Sequence, residues 1–216
     1  MTNKLFKAAV LLVLLSLPFG TANAKKMKAV NLGLSVKWAT CNVGASSPEQ
    51  YGNYYAWGET SPKSEYTWKS LKWCGDAGGN SFSKYNTKEN YGPVDNIKKL
   101  QPADDAARAA LKGKWRTPTR EEWNELREKC QWEWTEVKGV KGYKITGPSG
   151  KSIFLPACGL RSNDYVTNDG KMGCYWSSSL YESSPYSAYH IYFNSSSIYT
   201  DEDSYRHYGY SVRAVK

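Results

Sequence analysis

The chain has 216 residues, 40% of them hydrophobic and 14% aromatic, with a formal net charge of +9. This length and apolar share suit one domain with a real core and exclude a disordered chain. The lysines and arginines are scattered, densest at Lys25, Lys26 and Lys28 and at Lys98 and Lys99, with no basic helix or stripe. The surplus therefore points away from nucleic acid and towards solubility or attraction to acidic glycans and cell surfaces.

In chain order, Lys4 and Lys7, the apolar run "AAVLLVLLSLPFG" and the small residues "ANA" form the pattern of a secretory signal peptide over residues 1–24. The run is too short to span a bilayer and no second one follows, so no transmembrane segment is expected in the mature chain. Residues 25–216 read as a single domain. Val36–Thr40 and Tyr54–Trp57 are expected as short strands, separated by the turn-rich "NVGASSPEQYGN". Thr60–Val94 is polar and reads as a long loop. "PADDAARAAL" predicts a first helix, with acids in its first turn. "TREEWNELREKC" predicts a second, with Thr119 and Glu122 as a capping box and Trp123, Leu126 and Cys130 on one face. "KGYKITGPSGKSIFLPA" then reads as two strands around a Gly-Pro-Ser-Gly turn, and the remainder alternates like strands and loops. No internal repeat is evident. The expected class is α+β: two helices and a strand-rich second half.

Five cysteines, Cys41, Cys74, Cys130, Cys158 and Cys174, would allow two disulfides in an exported chain, with one left over. None stands in a CxxC or Cys/His metal spacing, and no metal or cofactor is expected.

The blocks "LGLSVKWATCNVGASSPEQYGNYYAWGE", "GKWRTPTREEWNEL", "GYKITGPSGKSIFLPACG", "YWSSS" and "GYSVRAV" occur in this order across nearly all of the mature chain. Together they resemble the Fibrobacter succinogenes major paralogous domain family of exported bacterial proteins. That resemblance implies a C-type-lectin-like fold: a compact α+β unit with a twisted antiparallel sheet and long loops. The carboxyl-terminal stretch also resembles the variable region of retroelement-diversified proteins, which interleaves Tyr, Ser, Asn, Asp and His with a fixed strand framework. Cys158 and Cys174 stand where the family has small or aromatic residues. They are either a disulfide clamping "GLRSNDYVTNDGKMG" or a pair of buried thiols. The short motifs that carry calcium and sugar in calcium-dependent lectins are absent. The oxygen-rich runs "NDYVTNDG" and "DED" lack the alternate spacing of a calcium loop.

Residues 175–215 hold nine of the seventeen tyrosines, set among Ser, Asn, Asp and His. In "AYHIYFN", alternation assigns Tyr189, Ile191 and Phe193 to the core and His190 and Tyr192 to the outside. Ser195–Tyr208 is almost without aliphatic residues and reads as a loop or hairpin that cannot bury itself. Tyrosine supplies large contact area at small entropic cost, with adaptable polar partners around it, as in antibody paratopes. The expected ligand-binding residues are Tyr186, His190, Tyr192, Tyr199, Asp201, Tyr205, His207, Tyr208 and Tyr210. The partner expected is a protein or glycan at a cell surface.

"WRTPTREEW" resembles a motif of formylglycine-generating enzymes, whose active members use a late cysteine pair to hold copper. No cysteine follows Cys174, so the motif reads as a capped helix with Arg116 in a buried pair. His190 and His207, the only histidines, lie in no nucleophile motif. No enzyme is expected, though two of the many acids could converge as in a carbohydrate-active enzyme. The second functional reading is a structural or tip subunit of a surface assembly such as a fimbria. "KKMKAVNLG" is its only candidate for a spare strand.

Overall fold

The computed structural model describes residues 27–216, so the leader read over residues 1–24 lies outside the described residues. Strands β1 (Ala29–Val30) and β2 (Trp38–Ala39) pair antiparallel. The segment proposed as a spare strand is thus engaged within its own chain. β3 (Tyr54–Tyr55) follows, and the backbone is then irregular as far as a short 3-10 turn at Glu89–Tyr91.

Helix α1 (Ala106–Leu111) is shorter than the alanine-rich run predicts, because Pro102–Asp104 is wound as 3-10 helix. Asp105 interrupts the two. Its carboxylate accepts from the N–H groups of Ala107 and Arg108 and from the Thr117 hydroxyl, so it caps α1 and fixes the approach to the next helix. That helix, α2 (Arg120–Lys129), begins as expected. The Thr119 hydroxyl accepts from Glu122 N–H while the Glu122 carboxylate accepts from Thr119 N–H. Arg116 closes the arrangement with a two-pronged, part-buried ion pair to Glu122. Trp123 and Leu126 are fully buried.

β4 (Gln131–Val137), β5 (Val140–Thr146) and β6 (Ser152–Pro156) form an antiparallel meander. Lys138 and Gly139 both have positive φ, 50° and 82°, and make the tight two-residue turn between the first two. The Gly-Pro-Ser-Gly loop joins the second pair as read. A small hairpin, β7 (Leu160–Ser162) with β8 (Tyr165–Thr167), precedes the last four strands. These are β9 (Met172–Leu180), β10 (Ser187–Asn194), β11 (Ile198–Tyr205) and β12 (Tyr210–Ser211).

The main sheet has the order β11-β10-β9-β12-β3. Its other pairs are antiparallel, but β12 runs parallel to β9, so the sheet is mixed. The α+β class with two α-helices and a predominance of sheet is as expected. Among the described residues, no helix is long and apolar enough to cross a membrane.

The faces of this sheet decide where side chains can go. Tyr175 and Trp176 are consecutive on β9 and must point to opposite sides, yet both are essentially inaccessible. One side is covered by α2 and the meander, through Trp123, Leu126, Tyr143, Ile145 and Leu155 packed on Tyr175, Ile191 and Phe193. The other is covered by α1 and the segment before it, with Trp57, Tyr85, Trp115 and Leu180 around Trp176 and Tyr210. A third cluster, Ala56, Tyr66, Leu71 and Phe82, sits inside the irregular segment itself. Thr60–Val94 is therefore irregular, as expected, but packed around its own aromatic residues.

All five cysteines are free thiols, and Cys158 and Cys174 are buried. The clamp considered between them is not formed. The Cys158 thiol is turned to the backbone carbonyl of Cys174, 3.8 Å away. A parallel bridge between the adjacent residues Gly159 and Gly173 holds the two segments side by side without it.

Candidate functional site

The tyrosine-rich end is built on the β10–β11 hairpin. Asn194 sets its turn, because its side-chain oxygen accepts from the backbone N–H of Ser196 and Ser197. Among the described residues β11 is an edge strand, pairing with β10 alone, with a bulge opposite the step from His190 to Tyr192. After β11 the chain turns tightly, Tyr208 N–H donating to the Tyr205 carbonyl at 3.1 Å.

That turn is clamped from three directions. Arg206 plunges inward, fully buried, and donates to the carbonyls of Tyr85, Pro185 and Lys84. Its guanidinium lies over Phe82, 4.7 Å from the ring centre, and near Trp57 and Tyr85. Burial brings its pKa down to about 9. Gly209 exchanges two backbone hydrogen bonds with Arg161 of β7, at 2.8 and 2.9 Å. A side chain there would strike the Tyr66 ring, whose atoms lie 2.6–2.9 Å from where a Cβ would stand. The turn is thus rigid, and it holds its flanking aromatics in place.

Those aromatics form one run. Tyr186 lies between Tyr91 and Tyr205, at ring separations of 5.7 and 5.8 Å. Tyr205 meets Trp68 at 5.6 Å and Tyr208 at 5.8 Å. His207 is wedged beneath, 4.2 Å from Trp68 and 4.4 Å from Tyr208. Tyr205 is 45% exposed, and Tyr186, Tyr208, Trp68 and Tyr91 are half-buried. The β7–β8 hairpin flanks this run. It carries Tyr165, 53% exposed, and the exposed Val166. Burial, then the neighbouring phenols of Tyr205 and Tyr165, raise the pKa of Tyr208. The surface offers phenol and indole edges.

The nine expected residues therefore separate. Tyr186, Tyr205 and Tyr208 lie together on this surface, with His207 as its floor and not as an outward contact. His207 is 9% exposed, its Nδ1 lacks a partner among the described residues, and desolvation holds its pKa at about 4. Tyr192 and Tyr199 face each other across the hairpin, stacked at 5.9 Å, and form a second accessible spot. Asp201 is exposed but committed: it accepts from Arg120 at 2.7 Å and from Asn124, and Arg120 holds its carboxyl below the usual range. It ties β11 to α2.

His190 and Tyr210 are corrections. Both are buried, because they point to a sheet face that the irregular segment covers. His190 Nδ1 meets the Glu202 carbonyl at 3.1 Å, and burial lowers its pKa to about 4. Tyr210 stacks on Trp176 at 4.3 Å and shares a hydrogen bond with Ser204. Tyr189, assigned to the core, is only half-buried, its ring lying under the Arg120 guanidinium at 4.3 Å.

Sequence reasoning missed Trp68, Tyr91, Tyr165 and Val166. The last two carried a readable signal, two large apolar residues at the tip of a polar turn, "NDYVTND". Trp68 and Tyr91 carried none, since only tertiary packing brings Thr60–Val94 against the last turn. Among the described residues, no three His, Cys, Asp or Glu side chains gather into a group that could hold a metal ion. No curated protein and no solved structure matches the chain. Residues 132–215, from the meander through the aromatic turn to the last strand, match a family model described as a domain of unknown function (DUF8237).

Proposed function

We propose that the protein is an exported, non-enzymatic binding module that presents the Tyr186–Tyr205–Tyr208 surface to a macromolecular ligand, a protein or a glycan at a cell surface. In this reading the chain is a relative of the Fibrobacter succinogenes major paralogous domain family, with a C-type-lectin-like fold and a leader that directs export. The observation that carries it is the continuous aromatic run held by the Arg206 and Gly209 clamps, with Tyr205 45% exposed at its centre and Tyr165 at its edge. Rigid amphipathic rings lose little entropy on binding, and a few such residues dominate the energy of many interfaces.

The test is an array of glycans and cell-surface proteins probed with wild type, Tyr205→Ala with Tyr208→Ala, and Tyr199→Ala. Loss of about 2 kcal/mol or more is expected from the double variant. Tyr199→Ala, at the other end of the hairpin, keeps nearly all affinity. The opposite ranking would move the site to the Tyr192–Tyr199 pair. Binding unaffected by any of the three would refute a tyrosine surface.

A further inference from the structure

Apart from the tyrosine run, the fold assembles a lysine cleft. Lys37, Lys112, Lys114 and Lys216 line a cavity of about 590 Å³, with Leu111, Gly113 and Trp115 completing it. Three separate segments supply these lysines. Lys37 and Lys216 are held opposite one another by two backbone hydrogen bonds of 3.0 Å, one in each direction. Lys114 is brought alongside by the antiparallel bridge between Arg116 and Val215. Lys112 follows the end of α1 with a positive φ of 60°, which turns the chain sharply into Gly113. The Lys216 ammonium sits 4.6 Å above the ring of the buried Trp115.

Elsewhere the chain pairs many of its cations: Lys63, Lys72, Lys84, Lys98, Lys129, Lys138 and Lys144 each meet a carboxylate. None of the four cleft lysines forms an ion pair among the described residues, and no acidic side chain lines the cavity. Like charges placed directly opposite each other destabilise a pairing. Four ammonium groups in one concavity, with no acidic side chain among them, also concentrate positive potential. An anion relieves both.

We infer that this cleft binds an acidic polysaccharide, a chain bearing sulfate or uronate groups, independently of the tyrosine surface. Several charges on different segments of an open cleft suit a polymer with repeated anions better than one small ion. A duplex-binding protein instead spreads cations in a stripe along the phosphates, and a single-strand binder offers exposed rings for base stacking. The cleft has neither, since its one aromatic ring is buried beneath Lys216.

Heparin, a sulfated polysaccharide, is the probe. Its affinity for the purified protein is measured over a range of salt concentrations for wild type and for the variant carrying Lys37→Gln, Lys112→Gln, Lys114→Gln and Lys216→Gln. A control with the same loss of charge carries Lys88→Gln, Lys141→Gln, Lys151→Gln and Lys171→Gln, all exposed and outside the cleft. The cleft variant is expected to weaken binding tenfold or more and to lower the slope of log K against log salt by about 3, from roughly 0.7–0.9 released counterions per cation. The control stays within about twofold, an order-of-magnitude expectation for charges outside the contact. Thermal melting of the cleft variant at or above wild type verifies folding. Should it melt lower, Lys112→Gln with Lys114→Gln, on an exposed turn, gives the same comparison with about half the change in slope. Equal weakening in cleft variant and control overturns the site in favour of net charge alone, and unchanged binding in the cleft variant overturns it outright. Duplex DNA bound as tightly as heparin overturns the polysaccharide assignment. Tyr205→Ala with Tyr208→Ala leaves heparin affinity intact, which separates this site from the tyrosine reading.

Discussion

Arg206 and Arg213 are both fully buried, and neither forms an ion pair among the described residues. Each side-chain nitrogen of Arg213 meets a neutral acceptor: the Asn42 side chain at 2.9 Å and the carbonyls of Ala39 and Phe154 at 3.0 and 2.8 Å. Arg206 is less complete, with Nε unpartnered among the described residues, and relies on three carbonyls and an aromatic box. Replacing it by leucine would leave those carbonyls without donors in a dry interior. Arg206→Leu is expected to cost on the order of 2–4 kcal/mol in urea unfolding. It is also expected to release the Tyr205–Gly209 turn, seen as faster amide exchange there than in β9. Equal exchange in the variant and wild type would show that the clamp is not what holds the aromatic run.

Helix α2 and edge strand β11 mark the two extremes of what an element's own sequence shows. The capping box was legible from Thr119 and Glu122 alone because its chemistry is local. Thr119→Ala is expected to cost about 1 kcal/mol. β11 shows the opposite case. Its composition, "IYTDEDSY", left loop and hairpin both open, and it forms eight residues of hairpin strand because β10 offers a long partner. Its free edge is a template for further pairing, and the exposed run Asp201, Glu202 and Asp203 guards it with like charge. Glu202→Gln with Asp203→Asn is accordingly expected to raise self-association, measured by sedimentation at increasing protein concentration. A variant that stays as monomeric as wild type would remove that role.

At the scale of the whole molecule, both histidines are buried as neutral rings with pKa values near 4, below the ordinary 6.5. The groups pressed on them are Trp176, Tyr210 and the Glu202 carbonyl for His190, and Trp68, Tyr205, Tyr208 and the distant Lys63 for His207. A histidine with a lowered folded pKa takes up its proton first in the unfolded chain. The stability it contributes is therefore complete above the unfolded pKa of 6.5 and is lost as pH falls towards 4. Each histidine should reduce stability by about 1.4 kcal/mol per pH unit within that window. Urea unfolding at pH 7 and pH 5, with His207→Phe as the comparison, measures this: the variant should lose less on acidification. The thiols give a second global check. Cys158 and Cys174 are buried, while Cys74 and Cys130 are partly open. Native alkylation followed by mass spectrometry should label Cys74 and Cys130 first and find Cys158 and Cys174 unlabelled but reduced.

Much of the architecture was legible from local pattern: the capped second helix, the hairpin around Gly-Pro-Ser-Gly, the strand in "AYHIYFN" and the exposure of Tyr199 and Tyr205. These depend on neighbours a few residues away, through dihedral preference, capping and alternation. What alternation could not reveal is whether a sheet has one wet face or none. Thr60–Val94 folds back over β9, β10 and β12, so His190 and Tyr210 became core, Trp68 joined the aromatic surface, and His207 was trapped beneath it. The lysine cleft has the same origin, since Lys37, Lys112, Lys114 and Lys216 are scattered along the chain and meet only through the bridges that tie its carboxyl end to β2 and to Arg116. Composition set which side chains were present to recognise a ligand, and long-range packing, which carries no short-range signature, chose which of them face water.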